Sequence, residues 1–458
     1  MRYRNRTAWE FTRFRGVEVV LVAILLAALA GSCQKEKSNA QQLEERLAAI
    51  RAVGEPVTMD ELRATLQKVT DADNAAPILQ QAFTKFDAGP NAETTLPFFN
   101  LQLLTIPGEA IPGEMVLAAK TLLDRNAECL SLLEKTQDKK DCLFPLTYER
   151  GAGMDVSHLS KMRDMERLLC LNSLVCAAKG DANGAYMSLR GAYKLSEDLR
   201  SDPMMINLLV RIALRSIAST ATEQALNRVR LDASQLTALQ SMVATMREPG
   251  EYRRALISER CLGLTIADAV QQGTLPLDKE NEAVFLAIKD DPDVMAREQV
   301  AFLDAMEKGI AIAAQPFPQM LDEAEALADG VDLANQSNVS GNSKLVASTL
   351  PSLMKCSRAV ARDTATLTVT ETALALRRFQ LAEKKLPVKL DELVPTYLKA
   401  VPTDPFDGQT LRYVAKGDGF TVYSTGLNRS DDGGKKYSDS GQQSDYGDIA
   451  FVFDLAKL

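Results

Sequence analysis

Apolar residues recur along most of this chain at the three-to-four spacing that places them on one side of an α-helix. The stretch "SDPMMINLLVRIALRSIASTATEQAL" (201–226) shows the pattern most clearly. Ile206, Leu209, Val210, Ala213 and Ile217 form a stripe, Asp202 is placed to cap the free N–H groups, and Pro203 suits the first helical position. Arg211 and Arg215 within it exclude a membrane span. Residues 162–199 read as two helices around a Gly180–Asp181 turn, with the small residues Ala178, Ala185 and Ala192 where the helices would approach closely. Further helices are expected at residues 43–53, 59–69, 74–86, 114–135, 233–247, 250–272, 296–313 and 318–328. "ADGVDLANQSNVSGNS" (328–343), rich in Asn, Ser and Gly, predicts a linker. A long helix follows, from about Pro351 to Lys384, with a threonine-rich middle that weakens it.

Beyond that helix the period changes from helical to alternating. "LPVKLDELVPTYL" is a short helix between prolines. "LRYV" (411–414) and "FTVYS" (420–424) flank "AKGDG" as a β-hairpin, and "IAFVF" (449–453) supplies a third strand. The expected fold class is mainly α. A helical-hairpin domain covers 34–327. A long helix and a small α+β domain with a three-stranded antiparallel sheet cover 344–458. The hairpin at 162–199 resembles a tetratricopeptide-like unit, without a sustained 34-residue period.

The first 33 residues differ from everything after them. Arg2, Arg4, Arg6, Arg13 and Arg15 precede the apolar run "VVLVAILLAALA" (19–30), which ends on small residues, the arrangement of an export leader. The run is short of the ~20 apolar residues that cross a bilayer. "AGSC" (30–33) is similar to a bacterial lipobox, in which Cys33 would be acylated; "ALA" (28–30) fits cleavage and release into the periplasm; an uncleaved anchor is the third outcome. All three place the bulk of the chain on the exported side.

Composition adds two exclusions. The formal charge of -8 lacks the basic footprint that holds nucleic acid phosphates. Of seven cysteines, the six beyond Cys33 contain no C-x-x-C pair, which argues against a zinc site and for small buried side chains in helices. At 458 residues the chain suggests two or three domains.

The tail carries a more specific signal. A helix leading to a Leu-Pro bend, "DPFDG", the hairpin, "YSTG" at a strand end and a closing "DI" together resemble the C-terminal globular part of the major pseudopilin of type II secretion. The similarity covers about residues 365–458. "GEPVTMDEL" and "DNAAPILQQAF" resemble segments of large envelope proteins of planctomycete-type bacteria that carry such a tail. The resemblance implies a calcium ion in the loop after the Ser-x-Gly, where it would stabilise the fold.

The loop has oxygen ligands for that ion. Calcium takes six to eight of them, and a cation removes the repulsion between crowded carboxylates. The expected set is Asn428, Asp431, Asp432, Asp445 and Asp448, with either Asp445 or Asp448 as the later carboxylate. Asn428 stands where the family has a carboxylate. "NRSDDGGKKYSD" has oxygens at EF-hand spacing but lacks the first Asp and the final Glu, and strands flank it.

Catalytic signals are sparse. His158 is the sole histidine, and it precedes a helix as a surface or cap group. No G-x-S-x-G, H-E-x-x-H or phosphate-binding glycine loop occurs. Acid pairs such as Asp290–Asp291 and Glu280–Glu282 are the only handle for an envelope-polymer hydrolase, and pairs like these are expected on a solvated surface. Met162, Met165, Met204 and Met205 fall in helix cores by period. The sequence therefore predicts a non-enzymatic envelope protein with a structural or interaction role and envelope proteins as partners. The alternative is an accessory part of a type II secretion or pilus-like assembly.

Overall fold

The computed structural model describes residues 37–66, 68–146, 154–274, 288, 290–336, 343–435 and 447–454. The leader, with Cys33 and the 19–30 run, lies outside them. Among the described residues the fold is mainly helical with one small antiparallel sheet, and no helix is long and apolar enough to cross a membrane.

The first helices are α1 (Asn39–Ala52), α2 (Met59–Thr65), α3 (Ala76–Lys85) and the single turn α4 (Ala92–Thr95). The single helix expected at 114–135 is two, α5 (Gly113–Arg125) and α6 (Ala127–Thr136). The break is Asn126, fully buried, whose side chain receives the Asp87 N–H (2.9 Å) and donates to the Asp87 and Leu122 carbonyls (2.8 and 2.9 Å). An amide that satisfies another segment's backbone holds its own residue outside helical geometry.

The hairpin is α7 (His158–Ala178) and α8 (Ala182–Glu197). Gly180 turns the chain at φ 76°, and Asp181 caps α8 by accepting the Gly184 N–H (2.8 Å). Ala185 and Ala192 are buried at the crossing as expected, but Ala178 is exposed and Ala177 takes its place. A side chain on Gly184 would lie 2.8 Å from the Cys176 sulfur, so glycine sets how closely the two helices meet.

Of the stripe expected on helix α9 (Met205–Leu226), only Val210 is buried. Ile206 is exposed, while Leu209, Ala213 and Ile217 are only half-buried. The innermost face carries Leu208, Arg211, Leu214, Arg215, Ala218 and Thr222. Asp202 and Pro203 do not start the helix either: its N-cap is Met204, with no side-chain cap, and Asp202 accepts the Met204 N–H (3.3 Å) one turn earlier.

The buried arginines explain the inversion. Arg215 donates to Glu197 at the end of α8 (2.7 Å), to Glu251 at the start of α11 (Glu251–Gln271; 3.2 Å) and to Asp363 (2.9 Å). Arg211 donates to Glu197 (3.0 Å) and Glu251 (2.9 Å). Two guanidiniums thus face three carboxylates. Burial works to raise the Glu197 carboxyl, but Arg211 and Arg215 outweigh it and hold it below the usual range. Asp363 goes the other way: burial pushes its carboxyl up despite Arg215.

Helix α10 (Ala233–Thr245), α12 (Pro292–Ile312) and α13 (Gln319–Gln336) complete the helices before the last one. The linker expected at 328–343 is helical as far as Gln336, because Ala324 and Ala328 bury and Leu327 and Val331 pack beside them in unbroken period. Residues 337–342 lie outside the described residues. Helix α14 (Lys344–Glu383) begins before Pro351 and runs through it. Its N-terminus is capped by Ser343 and also by Glu298 of α12, which accepts the Lys344 N–H (2.6 Å) and the Ser343 hydroxyl (2.8 Å). The threonine-rich middle is helical throughout, and Thr364, Thr368 and Thr372 donate their hydroxyls to the carbonyls four residues back.

Helix α14 belongs to two hydrophobic clusters. Leu345, Leu350 and Met354 pack with α1, α11, α12 and α13, whereas Leu367, Val369, Leu374, Leu376 and Phe379 pack with α7 to α10 and the sheet. Strands β1 (Arg412–Lys416), β2 (Gly419–Ser424) and β3 (Ile449–Phe453) pair antiparallel in the order β1-β2-β3. The outer edge of β3 is partly closed by α9. Glu223 accepts the Val452 N–H (2.7 Å), and Asn227 both donates to the Val452 carbonyl (2.8 Å) and accepts the Asp454 N–H (2.9 Å).

Replacing Arg215 with Ala leaves three carboxylates buried against one guanidinium and should cost about 3–5 kcal/mol in denaturant unfolding. Asp363→Asn removes the surplus anion and should cost less than half of that. An equal or larger loss for Asp363→Asn would refute the charge count.

Candidate functional site

The C-terminal loop is positioned by a carboxylate that the sequence did not single out. Asp404, at the head of "DPFDG", is 1 % exposed. Its Oδ1 accepts the Phe406 N–H (3.0 Å) and the Ser424 hydroxyl (2.8 Å); its Oδ2 accepts the Thr425 N–H (2.8 Å) and the Arg412 guanidinium (3.2 Å). Arg412 also pairs with Asp407, which it holds below the usual carboxylate range against the opposing effect of burial. Phe406 is fully buried against Leu321, Ala361 and Ala365 of α13 and α14. The turn, the end of β2 and two helices are thereby pinned at one point. The available signal was an Asp-Pro turn followed by a Ser-Thr strand end.

The loop leaves from this point. Gly426 sits at φ 67°, and a side chain there would collide with the Gly447 carbonyl, so the loop's two ends close against each other. Asn428 accepts the Ser430 N–H (3.0 Å) and donates to Asp432 (2.9 Å). Asp431 accepts the Tyr423 hydroxyl and the Gly433 N–H (both 3.0 Å). Burial, with Asp431 second, raises the Tyr423 phenol to about 12. Asp448 accepts the Gly434 N–H (2.7 Å) across the loop. Burial, and then the charges of Asp432 and Asp431, push its carboxyl up. Arg429 ties the loop to Asp322 of α13.

Four of the five expected metal ligands therefore share one loop, and Asp445 lies outside the described residues. The described set fits a cation in part. Burial is the main cause of the raised Asp448 carboxyl, and the nearby charges of Asp432 and Asp431 add to it. Against that, Asn428, Asp431, Asp432 and Asp448 all already spend oxygens on the loop's own donors. Among the described residues no three His, Cys, Asp or Glu side chains stand at metal-holding spacing.

The other sequence candidates are used structurally. His158 is the first residue of α7 and stacks on Phe144 with ring centroids 4.3 Å apart; burial lowers its pKa, with Asp155 opposing. Asp291 caps α12 by accepting the Asp293 and Val294 N–H groups (3.0 and 3.2 Å), while Glu280 and Glu282 lie outside the described residues. Met162, Met165, Met204 and Met205 are buried. Cys129, Cys142, Cys170, Cys176, Cys261 and Cys356 are free thiols, four of them buried. Glu166 of α7 is fully buried beside Cys170, and burial pushes its carboxyl well above the usual range.

Comparison with protein-family models, with curated proteins and with solved structures finds no match.

Asp404→Ala leaves the Ser424, Thr425 and Phe406 donors without their acceptor and should cost about 3 kcal/mol or more, since each hydrogen bond to a charged group contributes ~1.5–3. Hydrogen exchange should speed up over residues 404–426 before it does so in α7 and α8. Uniform acceleration across the chain would contradict this local role.

Proposed function

We propose that this chain is an exported protein of the cell envelope, tethered to the membrane through its N-terminus, with a structural or protein-interaction role. The observation that carries the reading is the run of five arginines, then the apolar stretch 19–30, then "AGSC". Acylation of Cys33 is the tether. A non-catalytic role is supported by what the buried ionisable groups do: Glu197, Glu251 and Asp363 hold Arg211 and Arg215, Asp198 holds Lys194, and Asp404 gathers backbone and hydroxyl donors. On this reading α7 and α8 are a tetratricopeptide-like hairpin whose helical surfaces meet envelope proteins.

Metabolic labelling with a radioactive fatty acid should mark the full chain in the membrane fraction, and Cys33→Ala should remove the label. Recovery of unlabelled wild-type chain from the cytoplasm would overturn both export and tether.

A second reading, an accessory component of a type II secretion or pilus-like assembly, is favoured by the tail. Supporting it is the order of long helix, Leu386–Pro387 bend, Asp404 turn, hairpin, loop and third strand, which fits the resemblance to a pseudopilin tail read in the sequence. Calcium then belongs to the loop, held by Asp432 and Asp448 with Asn428, Asp431 and Asp445, and its task is to fasten the loop to the sheet. Excess calcium over chelator should raise the Tm of the full chain by several degrees, and Asp448→Asn should abolish the shift. An unchanged wild-type Tm would remove calcium from the reading. The full chain is required because α14 shares its core with α7 to α10.

A further inference from the structure

A groove of about 320 Å³ runs between α9, α14 and the edge of β3. One wall presents Glu223, another presents Arg362 and Asp363, and the strand side presents Asp448 and Ala450. Among the described residues, three carboxylates and one guanidinium line it. Glu223, Asp363 and Asp448 are each more than nine-tenths buried, at 4, 8 and 4 % exposure. Asp363 is the informative one. Its Oδ2 holds Arg215, while its Oδ1, equally buried, has no hydrogen-bond partner among the described residues. An ionised oxygen left bare in a buried position is costly, and a cation from outside would satisfy it. Such a cation would also bring the Arg211–Arg215 network to three positive and three negative groups.

The strand side carries a second, independent feature. Val452 and Asp454 point their backbone groups away from β2, where Glu223 and Asn227 receive them. Antiparallel strands alternate with a period of two residues, so the N–H and C=O of Ala450 point the same way, and Ala450 lines the groove. An edge N–H and C=O beside a bare carboxylate oxygen can be met together by a peptide, which offers main-chain partners and a charged side chain at once. A free amine could use only the carboxylate.

We propose that this groove binds an extended peptide of a partner protein, pairing its main chain with Ala450 and seating one lysine or arginine side chain against Asp363. The proposal deepens the interaction role given above by naming the partner's chemistry. It is tested on purified protein, so its failure leaves the envelope location standing, and a failed location leaves peptide binding standing.

The test uses the full chain in detergent and fluorescent mixed-sequence octapeptides with Arg, Lys or Gln fixed at the centre. The Arg and Lys pools should bind with Kd below about 100 μM, a modest affinity matching so short an exposed edge. The Gln pool should bind at least ten-fold more weakly. Ser216→Trp adds bulk at an exposed position lining the groove, outside the arginine network, and should abolish binding without lowering Tm. Asp363→Asn should weaken the Arg and Lys pools to the level of the Gln pool. Equal binding of all three pools, no binding by any, or unaltered binding to Ser216→Trp would overturn the proposal. Arginine amide binding as tightly as the Arg pool would show a site for small cations and would overturn the peptide.

Discussion

Two guanidiniums held out of water at the crossing of four helices constrain everything around them. Arg211 and Arg215 must keep Glu197, Glu251 and Asp363 within hydrogen-bond reach, and those carboxylates sit at the end of α8, the start of α11 and the middle of α14. Apolar packing tolerates sliding and rotation of a helix by a fraction of a turn; a buried charge without its partner does not. The network thus fixes which face of α9 turns inward. It also fixes where along α14 the helical body is met, and so where the sheet at its far end is placed.

The sheet is small, with three strands, and is held on several sides. Its inner face buries Phe420, Val422, Phe451 and Phe453 against the same cluster as α7 to α10, and Arg377 of α14 lies over the Phe453 ring at 3.9 Å. Its strand ends are held by Asp404, and much of its open edge is occupied by Glu223 and Asn227 of α9. Side chains standing in for a missing strand limit edge-to-edge association. The stretch of edge that they leave is the one beside the groove.

Much of this could be read in the sequence, for a simple reason: helices that bury one face write that face into the chain at a regular period. The hairpin turn, the three strands and nearly all the helices follow from such local signals. What escaped depends on partners far away in sequence. The inward face of α9 cannot be chosen without knowing that Glu197, Glu251 and Asp363 await Arg211 and Arg215. Asn126 breaks a helix because of Asp87. Glu298 helps to start α14, so the composition before it misplaced a linker over the end of α13. In the loop, residue types pointed to Asn428, Asp431, Asp432 and Asp448 as neighbours, but not to the internal hydrogen bonds that already engage all four. Asp404 was visible only as part of a turn.

The charge count at the helix crossing also orders the assembly of the molecule. Arg211, Arg215, Glu197 and Glu251 all precede residue 260, and as a set of four they are electrically neutral. The helices through α11 can therefore close over their arginines before α14 is present. Asp363 arrives last and adds a third carboxylate to the two buried guanidiniums. Docking of α14 is then driven by its apolar faces and opposed at its centre. The seam along this helix is therefore one place in the body where a change in proton concentration would be felt.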